Sequence, residues 1–236
     1  QQYMVNMRGG LETTNGNDFA GSYDLGLLLD FGRMKLIPGG SFYIKAKGTY
    51  GGEASDFDDE KIGGLFATND DASAERPIYV ATWHYRQRLL NDRIEFRVGQ
   101  LDSSATFDAS EYAGSEDEQF MNTVLGSTAN VPHKVGLGAY VNVWPADWLY
   151  VRAAAIDHQH RTGRTGFDTA FHDEAWYRVF FETGILPQFI PGSGMLPGSY
   201  RAGLWYVPGA RPVFFDDLGG RLAARTRGDD VGFYIG

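Results

Sequence analysis

The sequence predicts an all-β fold, an antiparallel transmembrane β-barrel, and three observations support this prediction. Apolar and polar residues alternate along most strand-like segments, so each predicted strand has one apolar and one polar face. Tight turns and long loops alternate between the segments, as they do in barrels that cross a membrane. Most segments approach about ten residues, which is enough for a tilted strand to span a bilayer. A soluble β-sandwich also alternates and remains the alternative on pattern alone.

The composition is compatible with such a barrel. The chain has 236 residues, of which 14% are aromatic and 31 are glycine, and its mean hydropathy is −0.31. Barrel strands escape the usual search for apolar runs, because only alternate residues face lipid. The chain has no cysteine, which removes disulfides and thiol chemistry, and its net charge of −9 argues against an extended nucleic-acid surface.

The first two strands are predicted over 20–31 and 41–50. Leucines alternate with small or acidic residues in the first strand, and Lys45 and Lys47 lie opposite the apolar face of the second. The turn-rich sequence GRMKLIPGG joins the two strands. The stretch 51–77, rich in Gly, Asp and Asn, is predicted to be a surface loop.

Two hairpins are predicted in the middle of the chain. The strand at 78–88 turns through LNDR into a strand that begins at residue 93, and strands at 135–143 and 149–157 are joined by PADW. At the second turn Trp144, Trp148 and Tyr150 form a cluster typical of an interfacial aromatic girdle. Further strands are predicted around 176–182, at 199–207 and at the terminal GFYIG, about ten in all.

The polar faces of these strands are together basic, although the whole chain is acidic. Such charges are either solvated on the outside of a soluble sheet or line a channel, where guanidinium groups donate hydrogen bonds to hydroxyl or carboxylate oxygens. The pattern alone leaves both interpretations open. The basic residues are Lys45, Lys47, Arg86, Arg93, Arg97, Arg152, Arg178 and Arg201, with Asp24, Asp30, Glu95 and Glu182 among them.

Several short motifs occur in a specific order along the chain. The strongest is RIEFRVGQLD followed by FDASEYA and QFMN, supported by GGL at 9–11, LLLDFGRMKLIPGGSF, YRAGLWY and the terminal DDVGFYIG. In these motifs the chain resembles the OprB-type carbohydrate-selective porins. The resemblance implies a sixteen-stranded barrel in the outer membrane of a Gram-negative-type bacterium, through which small sugars diffuse passively past inward-folded loops and a lining of arginines and acidic residues.

The resemblance also implies roles for individual residues. Glu95 and Arg97 would lie on the strand that leads into a constriction, with Gln100 and Asp102 at its end, and loop 102–133 would narrow the pore. The implied loop residues are Asp108, Ser110, Glu111, Tyr112, Phe120 and Asn122.

Three aromatic residues share the predicted inward parity, namely Tyr140, Trp176 and Trp205. A sugar has apolar faces and polar edges, so its pathway needs aromatic surfaces beside hydrogen-bonding groups. The alternative for these side chains is packing in an aromatic girdle. We expect them to line the pore together with the basic residues.

The chain is shorter than the implied barrel. It holds about ten strands where sixteen are implied, and it ends inside a predicted strand. Because a severed strand leaves an edge that lipid cannot hydrogen-bond, we expect residues 1–236 to be a single barrel domain from a longer chain, with C-terminal strands missing and a trimmed N-terminus.

Three functions stay open at this point. The favoured one is a sugar-selective porin, and the second is a porin of the same fold that passes mainly ions or small anions through its basic lumen. The third is a soluble β-rich carbohydrate-binding protein or glycosidase, which needs a pair of carboxylates in a cleft. The sequence has no GxSxG, HExxH or Walker motif and no cysteine nucleophile, so we expect no enzyme.

No cofactor is expected. The acidic runs DFDDE and GSEDE could hold structural calcium or bridge lipopolysaccharide through divalent ions, and His158, His160 and His172 could form a metal cluster. Solvated loops explain both features more simply. The partners expected are small sugars, outer-membrane lipids and lipopolysaccharide, and further copies of the chain in a homotrimer, but no nucleic acid.

Overall fold

One antiparallel sheet of ten strands makes up most of the computed structural model of the chain. The elements are β1 (Gln2–Val5), β2 (Asn17–Asp30), β3 (Gly40–Gly51), β4 (Arg76–Leu89), β5 (Ile94–Asp102), β6 (Val135–Ala146), β7 (Leu149–Asp157), α1 (Phe167–Ala170), β8 (Tyr177–Ile185), β9 (Tyr200–Val207), β10 (Arg211–Pro212), β11 (Asp217–Leu218), β12 (Arg221–Leu222), β13 (Thr226–Arg227) and β14 (Asp230–Ile235). The structure describes residues 2–7, 9–11, 17–51, 61–63, 68, 76–110, 112–113, 119–120, 122, 130–172, 174–187, 192, 194, 198–209, 211–212, 217–218, 221–222 and 226–236.

The strands of the large sheet pair in the order in which they occur along the chain, from β1 to β9 and then β14. The four shortest strands, β10 to β13, form two separate two-stranded ladders in the connection between β9 and β14. This up-and-down order confirms the predicted all-β antiparallel fold and its strand count. Within the large sheet β1 lies outside the predicted strands, because four residues are too few to reveal an alternation, and the two-residue strands β10 to β13 were not predicted either.

Short and long connections alternate along the sheet, as predicted. β4 and β5 are joined by LNDR, in which Leu90, Asn91 and Asp92 adopt positive φ angles of 53°, 53° and 65°. Asn and Asp tolerate this left-handed conformation better than most residues, which explains their place in the turn. β6 and β7 are separated by two turn residues, whereas segments 103–134 and 158–176 are long. No helix among the described residues is long and apolar enough to cross a membrane.

One face of the sheet, called the outer face below, is apolar and exposed. Residues paired directly across two strands share a face, and here Leu27 pairs with Ile44 and Phe96 with Val141. Leu27 is 54% exposed and Phe233 is 75% exposed. An apolar band of this extent is costly in water but is covered by acyl chains in a bilayer.

The opposite face, called the inner face below, carries the charged side chains. Arg86 pairs with Arg97, Arg97 pairs with Tyr140, and Arg152 pairs with Glu182. Several of these polar side chains are buried, Glu182 to 1% exposure. They are buried because segment 103–110, which follows β5, packs onto the inner face.

The two faces can be distinguished by charging neighbouring residues on one strand. Leu27→Arg places a guanidinium on the outer face, and we expect it to lower the free energy of unfolding by about 2–4 kcal/mol in lipid vesicles. Leu28→Arg is the matched control, because Leu28 pairs with Tyr43 on the inner face. The measurement is urea unfolding of the complete protein in vesicles, and equal losses for both variants would contradict the assignment of faces.

Candidate functional site

Segment 103–110 is anchored to the inner face by an aromatic side chain. Phe107 is 1% exposed; its ring stacks on Phe180 with 5.2 Å between centroids and meets the edge of Tyr140 at 6.3 Å. Burial of one large apolar side chain contributes about 1.5–3 kcal/mol, enough to hold a short segment against a sheet. The segment therefore forms a ledge on the inner face rather than an open loop.

The start of the ledge is fixed by hydrogen bonds to the chain before β6. The backbone N–H of Ser103 donates to the Lys134 carbonyl at 3.0 Å, and the Ser103 hydroxyl donates to the Pro132 carbonyl at 3.1 Å. The Asp102 carboxylate accepts the backbone N–H of Ser104 at 3.0 Å and its hydroxyl at 2.8 Å. The Asp102 side chain thus stabilises the turn at the start of the ledge.

The end of the ledge carries Asp108, which connects three parts of the fold. Its carboxylate accepts hydrogen bonds from Arg201 Nε at 2.8 Å and from Asn130 Nδ2 at 2.9 Å. Its backbone N–H donates to Glu182 Oε2 at 2.7 Å. Asp108 has a φ of 52°, a conformation that Asp adopts more readily than most residues. The ledge is therefore held at both ends.

Glu182 on β8 is the centre of the polar network. Besides the Asp108 N–H, its carboxylate accepts hydrogen bonds from the hydroxyls of Tyr150 at 2.9 Å and Tyr234 at 2.6 Å. Arg152 Nε lies 3.5 Å from Oε1 as an ion pair, and Arg152 Nη1 donates to the Thr106 carbonyl on the ledge at 2.6 Å. A buried carboxylate is tolerated only when its oxygens are bonded in this way.

Glycines on neighbouring strands allow both tyrosines to reach Glu182. A Cβ added to Gly203 would lie 2.2 Å from Cζ of Tyr234, and a Cβ added to Gly184 would lie 2.4 Å from the Tyr150 hydroxyl oxygen. Each ring therefore lies flat across a strand that has no side chain at that position. Tyr150, predicted to belong to an aromatic girdle, instead points to the inner face, because its hydroxyl is needed by the buried carboxylate.

A second buried carboxylate lies on β5. Glu95 is 2% exposed, and its two oxygens accept hydrogen bonds from Arg97 Nε at 2.7 Å and Arg88 Nε at 3.2 Å. The Arg97 guanidinium lies 4.9 Å from the centroid of the Tyr140 ring. In the first network Arg152 lies in the same way over Tyr150, at 4.1 Å. Both arginines are therefore oriented by a carboxylate and an aromatic face together.

Two cavities flank the ledge on the inner face. One of about 220 Å³ lies between the ledge and β3–β7 and includes Lys45, Arg97 and Tyr140 in its lining. The other, of about 360 Å³, lies beyond Asp108 and is lined by Tyr112 and Arg201 together with Glu182. Each cavity combines guanidinium donors with aromatic surfaces.

Most of the predicted pore-lining residues share the inner face by strand register. These are Lys45, Lys47, Arg86, Glu95, Arg97, Tyr140, Arg152, Arg178, Arg201 and Trp205. Two others lie in connections at opposite ends of the strands. Arg93 is in a tight turn, where its Nη1 lies 2.8 Å from an Asp147 carboxylate oxygen, and Trp176 precedes β8 beside His158 at the opposite end.

Gln100 borders the smaller inner-face cavity, but its strand register differs from that of the other predicted pore-lining residues. Its register partners Trp83 and Leu137 belong to the outer face, yet the Gln100 side chain is only 1% exposed. Its amide donates to the Ala81 carbonyl at 2.7 Å, so it serves the backbone of β4. The preceding Gly99 has a φ of 142°, an irregularity that sequence alternation does not reveal.

The predicted loop residues are only partly brought together. Asp108 joins the polar network, and Ser110 and Tyr112 line the larger cavity. Phe120 is exposed, and Asn122 is described but lines neither cavity. Glu111 lies outside the described residues. Sequence reasoning missed Phe107, whose role depends on a ring contact with β8, far along the chain.

The described residues contain no group of three His, Asp or Glu side chains that could hold a metal ion. His158 accepts a hydrogen bond from Arg178, and His172 accepts one from the Glu174 N–H. Burial lowers the pKa of His160, and the nearby Lys134 ammonium adds to this shift, so the neutral ring is favoured. The acidic runs DFDDE and GSEDE lie outside the described residues.

Comparison with known proteins gives one family and one fold. The sequence model of the OprB family, described as carbohydrate-selective porin, matches residues 14–227. A high-pH structure of Pseudomonas putida OprB is similar over 99% of this chain and 58% of that chain, with a TM-score of 0.76 and 15% identity. At this identity the similarity is one of fold. The chain spans less than two thirds of that protein's length, and no curated protein matches it in sequence.

The role of the glycine opposite Tyr234 can be tested by adding a single methyl group. We expect Gly203→Ala to displace the Tyr234 ring from Glu182 and to lower the free energy of unfolding by about 1.5–3 kcal/mol, the usual loss for a hydrogen bond to a charged group. Urea unfolding of the complete protein in vesicles measures this loss. Gly228→Ala is the control, since an added Cβ there meets nothing within 4 Å.

A double-mutant cycle separates the clash from a general effect of alanine. In a Tyr234→Ala background the ring is gone, so Gly203→Ala should cost little further stability. If the two losses were additive, the contact between the Tyr234 ring and Gly203 would not be the cause.

Proposed function

Since the chain belongs to the OprB family of carbohydrate-selective porins, we propose that it forms the wall of an outer-membrane channel through which small sugars diffuse passively and selectively. Porins of this family are channels and not enzymes, which agrees with the prediction that the chain is no enzyme. Family membership likewise implies the bacterial outer membrane. It also removes the basis for the third hypothesis, a soluble carbohydrate-binding protein or glycosidase.

The observation that carries the proposal is the group of Arg97, Tyr140 and Glu95 beside the ledge. The buried Glu95 carboxylate fixes the Arg97 guanidinium over the Tyr140 ring, and the Arg97 side chain keeps 29% of its surface exposed. Its Nη1 has no partner among the described residues. A sugar passing here can accept hydrogen bonds from the exposed part of the guanidinium, which the buried Tyr140 ring supports from beneath.

Such a wall suits passive transport because it binds weakly. A sugar hydroxyl that exchanges water for a guanidinium donor gains only about 0.5–1.5 kcal/mol net. Permeation requires contacts that are favourable enough for entry and weak enough for exit. Arginines held by buried carboxylates are already oriented, so each encounter costs little side-chain entropy.

The second hypothesis, a channel mainly for ions or small anions, also has a specific observation in its favour. Arg86 lies directly across from Arg97, and it bonds the Ser41 hydroxyl at 3.0 Å rather than a carboxylate among the described residues. Arg88 also bonds Glu95, so three guanidiniums lie around one buried carboxylate and leave a local positive excess, which attracts anions.

Other predictions accompany this proposal. A single barrel domain over 1–236 and a pore-narrowing role for loop 102–133 stay predictions, supported by the ledge at 103–110. The sugars as partners follow from the family description, whereas contact with outer-membrane lipids and lipopolysaccharide and assembly into a homotrimer stay predictions.

Single-channel recording of the complete porin distinguishes the two hypotheses. We expect maltose or glucose to block the current, and Arg97→Ala to widen the constriction, weaken this block about tenfold and reduce any anion preference, because the exposed guanidinium is lost. Arg33→Ala is the control, because Arg33 lies in the nine-residue connection between β2 and β3 with its side chain 91% exposed. Unchanged conductance and selectivity in Arg97→Ala would remove Arg97 from the pathway.

Tyr112→Leu adds a test that depends on a ring and not on charge, because the Tyr112 ring is 82% exposed and lines the larger cavity. If sugars are the substrates, this variant should weaken the sugar block while leaving the anion preference unchanged, since it removes only the aromatic face. An absence of block by any sugar in the wild-type protein would favour the ion channel instead.

A further inference from the structure

The loop between β7 and β8 lies on the outer face of the sheet, opposite the ledge. Residues 158–171 are called the outer loop below. The Phe167 ring of α1 stacks on Trp83 of β4 at 6.2 Å between centroids, and Gly166 packs close to Leu137 of β6. The loop is tied to the ends of its own strands, since Thr169 Oγ1 donates to Asp157 at 2.5 Å and the Tyr177 hydroxyl donates to the Ala170 carbonyl.

A groove of about 430 Å³ runs between α1 and the sheet. Its lining is almost entirely apolar. Space is left above its floor because the residues there are small. The floor is formed by Gly99, Gly138, Ala139 and Ala155, and the walls by Trp83, Tyr85, Phe167 and Phe171. Phe167 and Phe171 are 54% and 74% exposed, so the walls stand out from the sheet. This volume and this apolar lining fit a linear hydrocarbon chain.

The groove belongs to the end of the sheet that carries the long connections. Leu137 is the third residue of β6, and Tyr177 is the first residue of β8. In transmembrane barrels of bacteria the long connections are extracellular. The groove therefore faces the outer leaflet of the membrane.

Arg164 of the outer loop lies beside this apolar surface, and Arg161 is joined to it in one turn, since the Arg164 N–H donates to the Arg161 carbonyl at 3.1 Å. Arg164 lines a second cleft together with Ile78, Val80 and Trp83, and Trp83 also borders the groove. Arg161 and Arg164 are exposed. Among the described residues neither guanidinium has a carboxylate within ion-pair distance, although Asp168 and Glu174 are close in sequence. An unpaired guanidinium next to a lipid-facing surface is a site for a phosphate at the membrane interface.

We propose that the outer loop and the outer face of β4–β7 bind a phosphorylated, acyl-chain lipid of the outer leaflet, with one chain in the groove and a phosphate on Arg164 and Arg161. A second copy of this chain would have to supply both a protruding apolar segment and carboxylates for the two arginines. A phosphorylated lipid supplies both chemistries in one molecule and surrounds the outer face in the membrane. The inference depends on the membrane barrel and not on which solute the channel passes.

Native mass spectrometry of the complete porin in detergent tests this site with purified diphosphorylated, hexa-acylated lipid A as the probe. We expect the wild-type protein to retain lipid A, and Arg164→Gln to weaken retention about tenfold through the loss of a charge-assisted contact. Ala139→Phe should weaken it by filling the groove, and Phe171→Ala by removing one wall. Arg33→Gln is the control, since Arg33 carries the same charge but pairs with Asp30 and lies in connection 31–39, at the opposite end of the strands from the outer loop.

Several results would overturn the proposal. One is retention by Arg164→Gln and Ala139→Phe equal to that of the wild-type protein, and another is equal retention of dephosphorylated lipid A. If Ala139→Phe dissociated an oligomer and left lipid retention unchanged, the groove would be a contact between copies of the chain instead. Sugar block of the channel should be the same in all of these variants, so failure here is distinguishable from failure of the proposed transport function.

Discussion

The inner face depends on one constraint, which is that the buried carboxylate of Glu182 must be fully hydrogen-bonded. An isolated carboxylate at 1% exposure would cost many kcal/mol, so its partners must all be in place when the protein is folded. They come from β7, β14 and the ledge, through Tyr150, Tyr234 and Asp108. The position of the ledge, and with it the shape of both cavities, therefore depends on the same carboxylate that joins these strands.

Much of the sheet can be predicted from the sequence because strand periodicity is a local property. The alternation around Arg93 to Val98, the LNDR turn and the short PADW connection each reveal their structure within a few residues. The polar face of the sheet follows from the same alternation, which is why Arg97, Arg152 and Arg201 were expected together. Periodicity predicts the face on which a side chain lies, but it does not predict the residues that the side chain contacts there.

The rest of the site depends on contacts between distant parts of the chain. Arg201 bonds to Asp108 across 93 residues of sequence, and no local pattern indicates that pairing. Gln100 pairs with outer-face residues and is nevertheless buried, next to a glycine, Gly99, whose φ of 142° departs from regular strand geometry. The histidines of the outer loop suggest a solvated loop in the sequence, whereas its two phenylalanines border the groove on the outer face. Long loops are thus where sequence reasoning was least informative.

The tyrosines that lie flat over glycines have a consequence for assembly. Tyr234 is directly across from Gly203, and Tyr150 from Gly184. If β14 slipped by two residues along β9, the Tyr234 ring would meet Trp205 or Arg201 instead of an empty position. A one-residue slip would turn the whole apolar set of the strand away from lipid. Each Tyr–Gly pair therefore stabilises one strand register relative to the neighbouring registers, in which the ring would clash with a side chain.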